Sequence, residues 1–256
     1  MAAALGFDAP TANSIDATSD RDFILEFVNA LAVLALHWSR FAEEMILFST
    51  QEFGFVQLPE AFSTGSSAMP QKKNPDLLEL MRGKAARITG QANALMIAVK
   101  GLPLAYNKDL QETQEPLFGA TETALAVLPM AAGFTRGVEF DFARMEQAAK
   151  TGFLNAWAAA TYLVRQGVPF RLAHEQIGKA VQLCLEKNCE LENLTLTELQ
   201  SINPAFGPDF RAALSLQAVL DLHDVLGGTA PARVRQAIAT ARTKSAALRE
   251  AVHVHA

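Results

Sequence analysis

Three long seams of apolar residues at helical spacing constrain this chain more than any other feature. From Phe23 the series runs Phe23, Phe27, Leu31, Leu34, Trp38, Phe41, Met45 and Phe48, in steps of four and three that repeat like heptads. A second series is Met81, Ala85, Ile88, Ala92, Leu95 and Val99, and a third is Phe118, Thr121, Leu125, Leu128 and Ala132. Each covers three or more turns on one face, and strand-type alternation is hard to find, so the pattern predicts an all-α fold built on a bundle of long helices. The first helix is expected over roughly Ser19 to Gln51, about 45 Å at ~1.5 Å per residue. A helix of that length outruns what a small domain covers from its own chain, so other subunits are expected to supply the missing faces.

After Gly137 the pattern shortens. Turn signals at Gly167-Val168-Pro169, Asn203-Pro204, Gly207-Pro208 and Gly227-Gly228 separate helical stretches near Leu154 to Arg165, Arg171 to Glu186, Arg211 to Leu226 and Pro231 to Ala251. Thr195 followed by Glu198 reads as a capping box. The expected organisation is a bundle domain over 1–150 and a smaller helical domain over 151–256. With 22 basic against 27 acidic residues the chain has a net charge of −5, which offers no footprint for nucleic acid or an anionic membrane. No apolar run approaches the ~18 uninterrupted residues of a membrane helix, and the amino end lacks a basic leader. Cys184 and Cys189 lie outside any CxxC or His-paired pattern, so no metal site or disulfide framework is expected, and a reducing, cytoplasmic setting fits.

Between the first two helices lie some twenty residues without periodicity, and loops longer than about 12–15 residues in a compact domain are commonly functional. This one contains Ser63-Thr64-Gly65-Ser66-Ser67-Ala68-Met69-Pro70-Gln71-Lys72-Lys73-Asn74-Pro75. It is expected to run into a helix with Asn74 as N-cap, Pro75 in the first helical position and Asp76 in the first turn. Free amides at a positive helix end, two lysines and two serine hydroxyls would then converge as an anion site, with the small residues admitting a ligand close to the backbone.

Residues 65–75 match GSSxMPxKxNP, an eleven-residue pattern with eight fixed positions, and thereby resemble the signature loop of the fumarase/aspartase superfamily. Thr11 to Asp22, the Gln71-Lys72-Lys73 run, Gly101-Leu102-Pro103 leading to Tyr106-Asn107-Lys108-Asp109-Leu110-Gln111-Glu112, and Gly227-Gly228-Thr229-Ala230-Pro231 resemble the argininosuccinate lyases within it, and the likeness runs over essentially the whole chain. The resemblance implies a cofactor-independent β-elimination of argininosuccinate to fumarate and arginine by a homotetramer whose sites are built from several subunits. It assigns proton exchange at carbon to Ser66. Lys72 would stabilise the dianionic intermediate, and Glu79 would raise the basicity of a catalytic histidine. Asn74, Tyr106 and Gln111 match substrate-binding positions.

That histidine lies in a Thr-x-x-His segment in the family, and none of the five here, His37, His174, His223, His253 and His255, follows a threonine at that spacing. His37 is expected to pack beside Trp38, and His174 and His223 to lie on helix surfaces. The resemblance therefore implies that the chain corresponds to rather more than the carboxyl-terminal half of a longer enzyme, with little or no activity alone. Gln114 stands where many members carry a substrate-binding lysine. It reads equally as an exposed residue in the first turn of the third helix. The competing readings are a sister lyase acting on adenylosuccinate, fumarate or aspartate, and a helical assembly protein derived from the lyase scaffold. The stretches Thr11 to Asp22 and Tyr106 to Glu112 weigh against the first, and the retained Ser66, Lys72, Asn74 and Glu79 against the second.

Overall fold

The computed structural model describes residues 1–65, 67–69 and 72–254, the last two by backbone alone. The chain divides into two compact units, Met1–Arg144 and Met145–Ala256.

In the first unit a short helix α1 (Ser14–Ser19) is capped by Asn13, whose side-chain oxygen accepts from the amides of Ile15 and Asp16 at 2.9 and 3.1 Å. It leads into α2 (Asp22–Ser49), about 42 Å long. A loop carrying the two-residue strands β1 (Val56–Gln57), β2 (Thr64–Gly65) and β3 (Lys73–Asn74) connects α2 to α3 (Asp76–Val99). A 3-10 turn, Lys108–Thr113, enters α4 (Gln114–Gly137), and β4 (Glu139–Phe140) follows. Helix α5 (Phe142–Ala148) spans the division between the units.

Helices α2, α3 and α4 form the expected bundle, but only α3 buries the stripe predicted for it. Its core residues are Leu78, Met81, Ala85, Ile88, Ala92 and Leu95. On α2 the buried stripe is Ile24, Val28, Ala32, Ala35, Trp38, Ala42 and Met45, whereas Phe23 is 65% exposed and Phe27 and Leu34 also face outward. On α4 it is Ala120, Thr123, Ala124, Val127 and Phe134, while Phe118, Leu125 and Leu128 are exposed. Both helices carry two apolar faces, and within one chain the alanine-rich face wins because it lets the backbones approach closely. His37, expected in the core, is likewise exposed on the outer face of α2. By length and composition alone, Asp22–Ser49 and Lys108–Gly137 are each apolar enough to cross a membrane, with most of that apolar surface outside the buried stripes.

Specific contacts fix the bundle register. The Trp38 indole N–H donates to the Met81 carbonyl at 3.0 Å, Arg82 pairs with Glu43, and Phe41 meets Phe134 edge-on at 6.2 Å. Arg144 donates to the carbonyls of Gln51, Glu52 and Phe53, tying down the end of α2.

The second unit contains α6 (Ala156–Arg165), α7 (Phe170–Lys187), α8 (Leu196–Ile202), α9 (Phe210–Ala213), α10 (Leu216–Asp221) and α11 (Pro231–Val254). The helix expected over Arg211 to Leu226 is thus two short ones, split where the Ser215 hydroxyl caps α10. The Thr195–Glu198 capping box is present in both directions. Leu163, Ile177, Cys184, Leu191, Leu194, Phe206 and Phe210 form its core. His174 lies on the surface of α7, and His223 stacks on Trp157 at 5.1 Å.

Candidate active site

The loop after α2 is anchored at its root. Phe48, Phe53 and Phe55 cluster at its root with ring centroids 5.4–6.2 Å apart, and β1 pairs antiparallel with β4. Two glycines of α4 then seat the loop on the bundle: a Cβ at Gly133 would lie 2.5 Å from the Phe62 ring, and one at Gly137 would lie 3.1 Å from Pro59. Beyond that point β2 pairs antiparallel with β3, with Thr64 opposite Asn74 and Gly65 opposite Lys73, which sets this ladder at the start of α3. The Thr64 hydroxyl donates to the Asp76 carboxylate and closes its base.

This ladder alters the expected helix start. Asn74 belongs to β3, Pro75 occupies the cap position without a side-chain cap, and Asp76 opens the helix. Pairing Asn74 against Thr64 gives its backbone an extended conformation and shifts the boundary by one residue, leaving the first-turn amides of α3 without a capping side chain from that position. The two lysines also separate. Lys73 donates to Glu60 at 2.6 Å, and that hydrogen bond and charge hold the Glu60 carboxyl below its ordinary range. Lys72 is exposed, and no carboxylate among the described residues pairs with it. Glu60 lies thirteen residues before Lys73, a separation that no local sequence pattern flags.

Ser66 lies outside the described residues. Asn74 is half-buried at the base of that ladder, and Glu79 is exposed in the first turn of α3, on the side of Arg82. Lys72, Asn74 and Glu79 therefore gather at one end of α3.

Tyr106 and Gln111 gather at the other end. The connection out of α3 turns at Gly101 (φ 80°) and Ala105 (φ 67°), with the Asn107 amide donating to the carbonyls of Pro103 and Ala105 at 3.1 and 3.3 Å. Tyr106 is about half exposed there. Gln111, in the 3-10 turn, lines a cleft of about 480 Å³ with Arg87, Gln91, Gln114, Glu115 and Glu122. Gln114 is the first residue of α4 and is exposed. Gln91 packs on Gly119 while Phe62 packs on Gly133, so α3 and α4 run antiparallel. The fifteen residue steps of α3 from Asp76 to Gln91 measure about 22 Å. Within one chain the described residues among those singled out in the sequence form two groups rather than one pocket.

A lyase family model matches residues 1–90, and a model for the argininosuccinate lyase C-terminal region matches residues 153–221. The argininosuccinate lyase of Koribacter versatilis is 59% identical over 256 residues, all of this chain and 55% of that protein. That of Acidobacterium capsulatum is 62% identical over 92% of this chain and 48% of its own length. The chain belongs to the argininosuccinate lyase family. It spans about half the length of the curated argininosuccinate lyases it matches. Among solved structures, an EDDS lyase in complex with formate superposes with a TM-score of 0.78 at 27% identity, covering 93% of this chain and 49% of the other. A fumarate lyase:delta crystallin from Brucella melitensis, at 20% identity and a TM-score of 0.64 over 84% of this chain and 45% of its own, shares the all-α bundle fold.

Proposed function

We propose that this chain carries part of the active site of an argininosuccinate lyase, which eliminates fumarate from argininosuccinate and leaves arginine. Identity of about 60% to argininosuccinate lyases across the entire chain is the observation that carries the reading. The site chemistry suits it. Removing a proton from carbon beside a carboxylate loads charge onto an aci-carboxylate, so the reaction needs a concentrated positive field. Lys72, unpaired among the described residues and beside the start of α3, supplies that field and pairs with a substrate carboxylate. Ser66 takes the proton, its alkoxide made tolerable by the same field. The carbon–nitrogen bond then breaks, and the departing guanidino nitrogen is protonated. Asn74, Tyr106 and Gln111 bind substrate, and Glu79 raises the basicity of a histidine from a segment with the Thr-x-x-His pattern.

We further propose a homotetramer in the cytoplasm. The exposed apolar faces of α2 and α4, with Phe23, Phe27, Leu34, Phe118 and Leu125, support assembly with other chains, and two free thiols suit a reducing compartment.

The purified chain alone is expected to release little or no fumarate, followed by ultraviolet absorbance. Co-expression with the amino-terminal region of a relative that carries Thr-x-x-His restores release from argininosuccinate. In that assembly Ser66→Ala lowers kcat by about 10²–10⁴-fold, the usual worth of a positioned proton-transfer group. A completed assembly that turns over adenylosuccinate or aspartate and leaves argininosuccinate intact contradicts the proposal.

A further inference from the structure

Helix α7 ends in a turn that brings the chain's two thiols together. Asn188 adopts the left-handed conformation (φ 51°, ψ 53°), and the Cys189 amide donates back to the Cys184 carbonyl at 3.0 Å. This closure places the residue three from the helix end beside the one just past the turn, where an apolar contact commonly sits. Here both are cysteines, and both line one pocket. They differ in access. Cys184 is fully buried in the core of the second unit and Cys189 is half-buried; the pocket they share, about 370 Å³, is also lined by Phe153, Leu185, Asn188 and Glu190.

We propose that Cys184 and Cys189 are an oxidation site, a dithiol that a small hydroperoxide entering this pocket converts to an intrachain disulfide. The Cys189 thiolate attacks one peroxide oxygen. The O–O bond breaks, hydroxide leaves to become water, and Cys189 becomes a sulfenic acid. The Cys184 sulfur then attacks the sulfenic sulfur, the S–O bond breaks, and the second water carries away the Cys184 proton. Two thiols and one hydrogen peroxide thus give one disulfide and two waters. The division of roles follows from access and from acidity. Burial, reinforced by its neighbour Cys189, pushes the Cys184 thiol up to about 12, so it is a poor first attacker and serves as the resolving partner.

Lys187 lies between the two cysteines, so trypsin separates them into peptides 180–187 and 188–211. After treatment of the intact chain with hydrogen peroxide, those peptides are expected to remain joined in a non-reducing digest. Intact mass falls by two hydrogen atoms, free thiols fall from two to none, and a thiol reductant restores them. Non-reducing electrophoresis keeps the oxidised protein at monomer mass, which excludes linkage between chains. Cys184→Ala, lacking the resolving thiol, instead gains oxygen at Cys189. Should that buried substitution prevent folding, Cys189→Ser at the half-buried position abolishes the linked peptides and leaves Cys184 unoxidised. Oxygen addition to wild-type Cys189 without linked peptides, or two thiols that persist through the treatment, overturns the proposal.

Discussion

The indole N–H of Trp38 reaches across to a carbonyl of α3, so α2 can rotate or slide against its neighbour only by breaking a buried hydrogen bond. Trp38→Phe keeps the aromatic body but loses the donor and part of the packing. It is expected to cost about 1–3 kcal/mol, read as a lower urea midpoint with an unchanged slope. Glu198 makes a different kind of contact. Its carboxylate accepts from Lys187 and from the Thr195 hydroxyl and amide, and those bonds lower its pKa from 4.5 to about 2. Since the folded value lies below the unfolded one, the stabilisation is complete above about pH 4.5 and disappears as pH falls through 2. Glu198→Gln should therefore flatten the loss of stability across that acid window, as measured by denaturant midpoints at stepped pH. An acid limb as steep as the wild type's would show that the Lys187 pair is not formed in solution.

The bundle elements separate what periodicity specifies from what it leaves open. Spacings of three and four identify α2, α3 and α4 as helices, because one such stripe is enough to drive a helix to pack. They name the buried stripe of α3, which has a single apolar face, and miss those of α2 and α4, which have two. Bulk favours Phe23, Phe27 and Leu34 as core, yet close helix approach favours Ala32, Ala35 and Ala42, and only the packed chain decides. The start of α3 shifts for a related reason: Asn74 has the chemistry of a cap, but a long-range ladder with Thr64 claims its backbone. In the loop after α2, the pairing of Lys73 with Glu60 lies beyond any local pattern, because the two residues are thirteen apart. Ala35→Leu and Phe27→Gln tell the two faces of α2 apart. The first overpacks a fully buried position and is expected to destabilise the unit by about 1–3 kcal/mol; the second changes it by no more than about 0.5 kcal/mol. Thermal unfolding of both variants at a dilution where the chain is monomeric decides, and equal losses there would mean that the bulky face is also buried within one chain.

At the scale of the molecule, the two groups of site residues lie on opposite ends of α3, and a 24-residue helix does not fold back on itself to join them. If one substrate contacts both groups, Lys72 and Gln111 must come from different chains, brought together by packing of the apolar faces that α2 and α4 leave outward. That geometry makes a quantitative claim about mixtures. Suppose Lys72→Met and Gln111→Ala are made separately in the completed assembly, each abolishing most fumarate release. Subunits that mix at random give a site an intact lysine half of the time and an intact glutamine, from another chain, half of the time. Co-assembly of the two inactive variants should then recover roughly a quarter of wild-type turnover, by the combinatorics of closed symmetric oligomers. A site confined to one chain predicts a different result, since every chain in the mixture carries one lesion and no site is whole. A mixture no more active than its parents, once co-assembly has been verified by differential tagging, would place Lys72 and Gln111 in the same subunit's site and refute the shared arrangement.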